Sequence, residues 1–270
     1  MSKELYNELP RPTFRWMKVN HLELERQEAP YLPSVDIENR TVGDVTVSFY
    51  QGNGLDDLGD FAGASGESLR DALNHSMNGC SVTVPEGAKG SVRLTYNVSE
   101  AVPYLAAQLK IEAAANSEVE VYLLFEGDAK NGAVNIAEYI EAAKGAKVTV
   151  KKVQFNGEHV RHIEHRYVRS GENSDVRYVN AELGSRAVIL YYKTDLDGAE
   201  SKFGSRAMYI GHDEQVLDFS YWVAQKGEKS HADILATGAL TDRSKKNFRG
   251  TIDFLRGCKK AVGSETDECL

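Results

Sequence analysis

Apolar and polar residues alternate in short runs over most of the chain from residue 80 onward. Alternation of this kind over about four to eight residues is typical of strands that bury one face. Glycine or Asn-Gly separates most of the runs, and no helical period interrupts them apart from a possible turn near 101–109. The pattern predicts a mainly β protein: a sandwich, a barrel or a solenoid. The predicted strands are 80–85, 91–96, 118–125, 134–140, 147–155, 176–182, 187–193, 206–210, 216–223, 232–237 and 248–255.

A short unit recurs within this region, in which a glycine and a few small or polar residues precede β-branched or apolar ones. It occurs at 145–150, 184–189 and 204–209. Repetition of a short unit indicates stacked turns, each of which covers the hydrophobic face of its neighbour. Asn-Gly hairpin turns are few, so a parallel β-helix is favoured over a meandering barrel. Its interior is predicted to hold Val188, Leu190, Ile210 and Leu235.

The first 76 residues follow a different pattern, and the sequence divides into a region 1–76 and a core 77–270. Leu69, Ala72, Leu73 and Ser76 recur at helical spacing. Proline, glycine and acidic residues make much of 31–66 loop-like. We expect a small mixed, partly helical N-terminal region. Its predicted elements are a helix at 2–9, a helix capped by Thr13, a strand at 45–50, and a helix near 69–76 ended by Asn78-Gly79.

Composition and charge exclude several classes of protein. The 270 residues carry 32 Lys and Arg against 40 Asp and Glu, a formal net charge of −8. A chain without a net positive field is a poor binder of duplex nucleic acid or of an anionic membrane. The sequence has no apolar run of about 18 residues that could span a membrane, and its N-terminus lacks the apolar segment of a signal peptide. We therefore expect a cytoplasmic protein.

The three cysteines are too few for a disulfide framework and are expected to be reduced thiols. Cys80 lies in an apolar run, where a buried, inert thiol is the usual outcome. Cys258 and Cys269 are weak candidates for thiolate ligands of iron or copper, since they form no CxxC pair.

The densest group of histidines is His159, His162 and His165. On a helix the three would share one face and could bind a metal. The flanking residues indicate a strand, on which His162 faces away from the other two. We expect these histidines on a solvated sheet face or in a turn, and no zinc site.

Carboxylate pairs are the remaining candidates for chemistry. Asp195 with Asp197, or Asp213 with Glu214, could serve a β-helical carbohydrate-active enzyme. Acidic residues are common in turns, and the chain has no GxSxG, P-loop, GxGxxG or HExxH motif. We expect no catalytic site, although a carbohydrate-active enzyme and a purely structural solenoid adaptor stay open as alternatives.

Three segments carry a resemblance to a known family. Residues 230–252 contain a G-x-L-x-D turn followed by F-R-G, residues 78–87 end in V-P-x-G, and residues 15–22 hold an aromatic-basic stretch around Trp16. Together they resemble the SufB/SufD family of iron–sulfur cluster assembly proteins. The residues that match the family's core motif are Gly238, Leu240, Asp242, Phe248, Arg249 and Gly250.

The resemblance implies a right-handed parallel β-helix core and a role in the SUF pathway of iron–sulfur cluster assembly. Family members pair with each other and with a SufC-type ABC ATPase, so the expected partners are that ATPase and a SufB-like subunit. No enzymatic activity is expected. No cofactor is intrinsic to the chain, an iron–sulfur cluster being possible only in the assembled complex, and no flavin motif is recognisable.

The chain also departs from the family pattern. Family members continue through further turns and C-terminal helices, so this chain is expected to be C-terminally shortened and to form a homodimer through its C-terminal turn. Thr194 and Asp267 fall where SufB-type members carry cysteines. This departure favours a SufD-like subunit over SufB itself.

Overall fold

The computed structural model of the protein describes residues 2–10, 16–17, 19–27, 37–55 and 58–270. Within them lie one helix and eighteen strands. The helix is α1 (Gly66–Asn74). The strands are β1 (Lys3–Tyr6), β2 (Leu22–Glu25), β3 (Glu38–Gly43), β4 (Thr46–Tyr50), β5 (Asn78–Val84), β6 (Lys89–Val98), β7 (Tyr104–Ala113), β8 (Glu118–Gly127), β9 (Ala133–Ala142), β10 (Lys147–Gln154), β11 (Arg161–Ser170), β12 (Asp175–Glu182), β13 (Ala187–Leu196), β14 (Lys202–Gly211), β15 (Val216–Gln225), β16 (His231–Leu240), β17 (Lys245–Phe254) and β18 (Val262–Cys269).

From β5 onward the chain winds into a β-solenoid of about 7 turns, which confirms the predicted parallel β-helix. Each turn contributes one strand to each of two sheets. The front sheet has the order β3-β6-β8-β10-β12-β14-β16-β18, and the back sheet has the order β4-β5-β7-β9-β11-β13-β15-β17. Strands of successive turns are parallel, whereas β3 and β4 pair antiparallel with the first strands of the solenoid. These two strands cover the edges at that end of both sheets.

A recurring tight turn sets the period of the solenoid. Between a back-sheet strand and the next front-sheet strand, a backbone N–H donates to the carbonyl three residues earlier, over 3.0 to 3.4 Å in seven successive turns. The residue before this donor has a positive φ, as at Asn116, Gly145 and Asn173, a conformation that asparagine and glycine tolerate. Side chains stacked across turns are therefore 28 to 31 residues apart in sequence.

The core lies between the two sheets. Inward positions are mainly Val, Leu, Ile and aromatic residues, and aromatic rings stack from turn to turn, as Tyr96 on Phe125 at 5.0 Å. Val188 and Leu190 are buried there as predicted. Ile210 is 52% exposed, and Leu235 lies on the outer face of β16 between the buried Ile234 and Ala236, so the predicted interior position of both residues is wrong. Inward residues of β14 occupy odd positions, which turns Ile210 to the outer face.

The N-terminal segments lie on the outer face of the back sheet. Phe61 stacks on Tyr167 at 5.3 Å, and Leu58 and Leu69 belong to the same apolar cluster. Tyr6 of β1 packs on Ile163 and Ile189 nearby. Strands of the back sheet such as β9 and β11 are consequently buried on both faces. The domain boundary at residue 76 stays a prediction.

Several local predictions for the N-terminal region need correction. The helix at 2–9 is wrong, because β1 pairs antiparallel with β2 and buries alternate residues. The strand at 45–50 is confirmed as β4. The predicted helix near 69–76 is α1, which begins after the N-cap Ser65 and ends at His75, while Asn78-Gly79 opens β5. The helix expected from Thr13 lies outside the described residues.

Within the core, the predicted turn at 101–109 is wrong because most of it belongs to β7. Cys80 is buried in β5, as predicted, and burial raises the pKa of its thiol to about 12. Among the helices described, none is long and apolar enough to cross a membrane.

Candidate functional site

The middle turns of the solenoid hold a cluster of charged residues between the sheets. Glu138 of β9, Lys152 of β10, Glu164 and Arg166 of β11, and Glu182 of β12 have at most 1% of their surface exposed. We call these five residues the central charge cluster. Transfer of ionised groups from water into a protein interior is costly unless they are paired. The ion pairs and hydrogen bonds among these five residues therefore determine whether the cluster is tolerated in the core.

Two cations bind three carboxylates in the central charge cluster. Lys152 Nζ lies 2.5 Å from Glu164 Oε2 and 2.7 Å from Glu182 Oε1, the second contact being an ion pair without directed hydrogen-bond geometry. Arg166 donates to Glu138 Oε2 and to Glu164 Oε1, each at 2.5 Å. The Tyr192 hydroxyl donates to Glu164 over 2.8 Å, and its ring lies 4.5 Å from the Arg166 guanidinium carbon.

The surroundings move the pKa values of Glu138 and Glu164 in opposite directions. Burial raises the pKa of Glu138 to about 7, although Arg166 opposes the change. Burial acts in the same sense on Glu164, but Lys152 and Arg166 hold its pKa well below the usual range. Burial therefore favours a proton on Glu138 near neutral pH, whereas the two neighbouring cations keep Glu164 ionised.

Some polar atoms around the cluster have no hydrogen-bond partner among the described residues. They include Glu138 Oε1, Glu182 Oε2, Arg166 Nη1, His162 Nδ1 and both side-chain amide atoms of Asn180. Buried polar groups are nearly always paired, and water molecules are frequent partners. These atoms make the centre of the solenoid a polar interior within an otherwise apolar core.

A second polar group lies in the last turn. Lys246 of β17 pairs with Asp267 of β18, and its Nζ lies 3.1 Å from the Tyr209 hydroxyl and 4.2 Å from the centre of that ring. Burial lowers the pKa of Lys246. Burial raises the pKa of Tyr209, and a hydrogen bond with Cys269 adds to that rise. The exposed thiol of Cys269 therefore lies beside a buried amine and a phenol at the end of the solenoid.

The other thiol candidate is not part of this group of contacts. Cys258 lies half-buried in the turn after β17, where its N–H donates to the Leu255 carbonyl. In the part of the chain that the structure describes, no three His, Cys, Asp or Glu side chains are arranged to hold a metal ion. The two thiols stay candidates without a described ligand set.

The predicted core motif lies on β16, on β17 and in the turn between them. Arg249 points outward from the back sheet, where Nη1 donates to Asp218 Oδ1 at 2.7 Å, Nη2 donates to Oδ2 at 3.1 Å, and Nε donates to the Val19 carbonyl at 2.7 Å. This arginine therefore connects the solenoid to the N-terminal segment.

At two other motif positions neighbouring atoms leave room only for glycine, and a third motif residue lies in a tight turn. A Cβ at Gly238 would lie 2.2 Å from the Tyr209 carbonyl oxygen, and one at Gly250 would overlap the Glu265 carboxylate. Asp242 adopts a φ of 58° and accepts the N–H of Asp213 at 3.1 Å. The remaining two, Phe248 and Leu240, pack against the core. All six motif residues therefore make contacts within the fold, and their structural role stays a prediction.

The three predicted histidines have separate environments. His159 is exposed in a turn and lies 2.8 Å from Asp128, in agreement with the prediction. His162 faces the interior beside Glu164, and His165 faces the N-terminal segment, so both are fully buried and their predicted solvation is wrong. The reason is that β11 is buried on both faces.

The predicted carboxylate pairs are engaged in ion pairs. Lys226 Nζ lies 2.8 Å from Asp195 and 2.9 Å from Asp197, at the end of β13. Asp213 pairs with His212, and Glu214 pairs with Arg243, on exposed turns. Asp195 is therefore a buried carboxylate paired with Lys226, whereas Asp213 and Glu214 belong to exposed ion pairs.

Acidification should weaken the attachment of the N-terminal segment through His165. Its Nδ1 accepts the Ala64 N–H at 2.8 Å, and burial lowers its pKa from 6.5 to about 4. The folded state therefore binds fewer protons than the unfolded state between these values. Stability present above pH 6.5 is lost as the pH falls towards 4, by up to about 3 kcal/mol. Urea unfolding of the wild type and of His165→Gln at several pH values should show a smaller loss in the variant.

His159→Gln is the matched control for that experiment. His159 is exposed, and Asp128 raises its pKa, so its removal should not reduce the loss of stability towards acid. Parallel pH profiles for wild type and His165→Gln would contradict the assignment.

Taken together, the chain is a two-sheet parallel β-solenoid with a charged interior and a thiol in its last turn. Residues 96–270 match the family described as SUF system FeS cluster assembly, SufBD core domain, so the chain belongs to this family. The match begins within β6 and extends through β18. No curated protein matches the sequence. The family supports a role in SUF iron–sulfur cluster assembly, and its members are generally scaffold or partner subunits.

Proposed function

We propose that this protein is a SufD-like scaffold subunit that acts with a SufC-type ABC ATPase and a SufB-like subunit and has no turnover of its own. The observation that carries the proposal is the family match over the solenoid. Two side chains support the SufD-like assignment: Thr194 is buried in β13, and Asp267 is paired with Lys246. Neither position offers a thiol to a cluster.

The proposed contact with a second subunit uses the last turn. Within the described residues, β17 and β18 each have a strand neighbour on one side only. Such an edge presents unpaired N–H and C=O groups and readily accepts another strand. A second copy of this chain, or a SufB-like subunit, would add its own edge strand there. Cys269 would then face the junction, where an iron–sulfur cluster is built as cargo between subunits.

The three free thiols support a reducing compartment, and we place the complex in the cytoplasm. A cluster would require ligands from both subunits, because the described residues alone do not form a metal-holding group. The cluster is therefore proposed to belong to the assembled complex and not to the isolated chain.

Glu265→Pro should abolish pairing at the β18 edge without disturbing the solenoid. Val262 and Leu270 donate their N–H groups to the β16 side, so by alternation the Glu265 N–H points to the open edge. Proline removes that donor at an edge position, where it is tolerated. Light scattering should give a dimer for the 29.9 kDa wild-type chain and a monomer for the variant.

Glu265→Gln keeps the N–H and is the matched control, which should remain dimeric. A monomeric wild type would contradict the homodimer. The larger proposal is tested by co-expression with the ABC ATPase and the SufB-like protein of the same genome. Failure of both to co-purify with the chain would overturn the proposed function.

A further inference from the structure

The outer faces of the two sheets differ in how far other parts of the chain cover them. The back sheet is covered by residues from β1, α1 and the segment before α1. The outer face of the front sheet instead exposes a row of apolar side chains on neighbouring strands. Val153, Val179 and Met208 are 40%, 43% and 58% exposed. Exposed apolar residues in a contiguous row indicate an interaction surface.

A basic hollow continues this apolar row. Gly204 of β14 has no side chain, and a Cβ there would meet nothing within 4 Å, so a space of about 390 Å³ opens on the sheet. Its lining includes Arg177, Lys202 and Arg206. A neighbouring hollow of about 360 Å³ is lined by Val153, Val179 and Met208. Val179 lines both hollows, so they form one groove, which we call the front groove.

The charge of the front groove contrasts with that of the whole chain. Three cations face two carboxylates, Asp175 and Asp233, whereas the protein carries a formal net charge of −8. Arg177 binds both oxygens of Asp175, and Arg206 pairs with Asp233. Lys202 takes part in no ion pair among the described residues, and Arg177 uses only its Nε and Nη2. An acidic group is the ligand that these donors can bind.

We propose that the front groove binds an acidic amphipathic helix of a partner protein. Its apolar face would lie on Val153, Val179 and Met208, and its carboxylates would meet Lys202 and Arg177. Strands about 4.8 Å apart present side chains at nearly the spacing of i, i+3 and i+4 positions on a helix. The same protein already shows this arrangement on the other sheet, where α1 packs across β7 and β9. This surface is separate from the β17 and β18 edge.

A synthetic peptide tests the proposal without knowledge of the partner. The probe is a fluorescein-labelled helix of about 18 residues, five turns, with leucine on one face and glutamate on the other. Fluorescence anisotropy measures its binding to the full chain. Lys202→Glu and Met208→Gln should each weaken binding about tenfold, which corresponds to about 1.4 kcal/mol. Circular dichroism should show that the bound peptide is helical.

Two matched controls keep the test specific. Lys245→Glu makes the same charge change at the first residue of β17, on the back sheet, and Val42→Gln changes an exposed apolar residue on β3. Val42 lies about five strands, or about 24 Å, from Met208 in the front sheet. Both controls should leave binding unchanged.

Several outcomes would overturn the proposal. They are equal binding of a lysine–leucine peptide, equal effects of groove and control variants, or binding of the peptide in an extended form. Binding to phosphatidylglycerol vesicles in place of the acidic peptide would assign the groove to a membrane surface and also reject it.

Discussion

Replacing Lys152 with methionine should lower the free energy of unfolding by about 3–5 kcal/mol, because the change leaves buried carboxylates without their cation. Lys152 Nζ contacts Glu164 and Glu182, and all three side chains have no exposure to solvent. Methionine can fill the space of the lysine stem but supplies no charge. Urea unfolding followed by circular dichroism should show the loss as a lower midpoint with an unchanged slope.

Lys151 provides a matched control one residue away. It faces solvent and pairs with the half-exposed Glu120, so Lys151→Met should change stability by at most about 0.5 kcal/mol. The double variant Lys152→Met with Glu182→Leu should recover part of the stability, since it removes one stranded carboxylate together with the cation. Equal losses for Lys151→Met and Lys152→Met would contradict the assigned role of the central charge cluster.

The alternation of inward and outward residues in β10 could have revealed Lys152, one member of this cluster, from the sequence. Lys152 is in phase with Val148 and Val150 of β10, both of which are buried. A charged residue at an inward position contradicts the alternation around it, and such a conflict is a signal of a special site. The signal does not identify partners. Glu138, Glu164 and Glu182 come from three other strands, and only the stacking of turns brings them to Lys152.

Strands covered on one side were the easiest to predict. In β8, β10 and β12, inward and outward residues alternate, and the predicted runs lie close to the observed strands. In β7 and β11 almost every residue is buried, so alternation is lost. Their outer faces are covered by residues of the N-terminal region that are distant in sequence, such as the backbone at Gly63 and the side chain of Leu69. No local pattern within β7 or β11 contains that information.

The sequence correctly predicted stacked repeating turns, but the short units that it singled out do not occupy equivalent positions in them. Gly145 lies in the tight turn between sheets, whereas Gly204 lies within β14 and faces the front groove. The units starting at these glycines are therefore not equivalent positions of the solenoid. The structural repeat is carried by the tight turns, whose hydroxyl-bearing residues Ser117, Ser174 and Ser201 each donate to the carbonyl three residues earlier. A small residue, Ser or Ala, at about every 29th position is the signal that could have set the register.

Arg249→Ala should detach the N-terminal segment from the end of the solenoid and lower the free energy of unfolding by about 3 kcal/mol. The arginine binds both oxygens of Asp218 and the Val19 carbonyl. Asp218 is fully buried, so the substitution leaves a carboxylate with only neutral donors, from Asn7 and Asn247. Hydrogen exchange should show lost protection around residues 5–7 and 19–25 before the solenoid opens, and urea unfolding should give the loss in stability.

Three further variants decide whether the pair with Asp218 is responsible. Arg249→Lys keeps the charge but not the bidentate geometry, so it should recover only part of the stability. Arg249→Ala with Asp218→Asn removes the unpaired charge and should be more stable than Arg249→Ala alone. Arg243→Ala breaks an exposed pair with Glu214 and should change stability by at most about 0.5 kcal/mol. Unchanged hydrogen exchange of the N-terminal residues in Arg249→Ala would show that this arginine does not hold the segment, whatever the loss in overall stability.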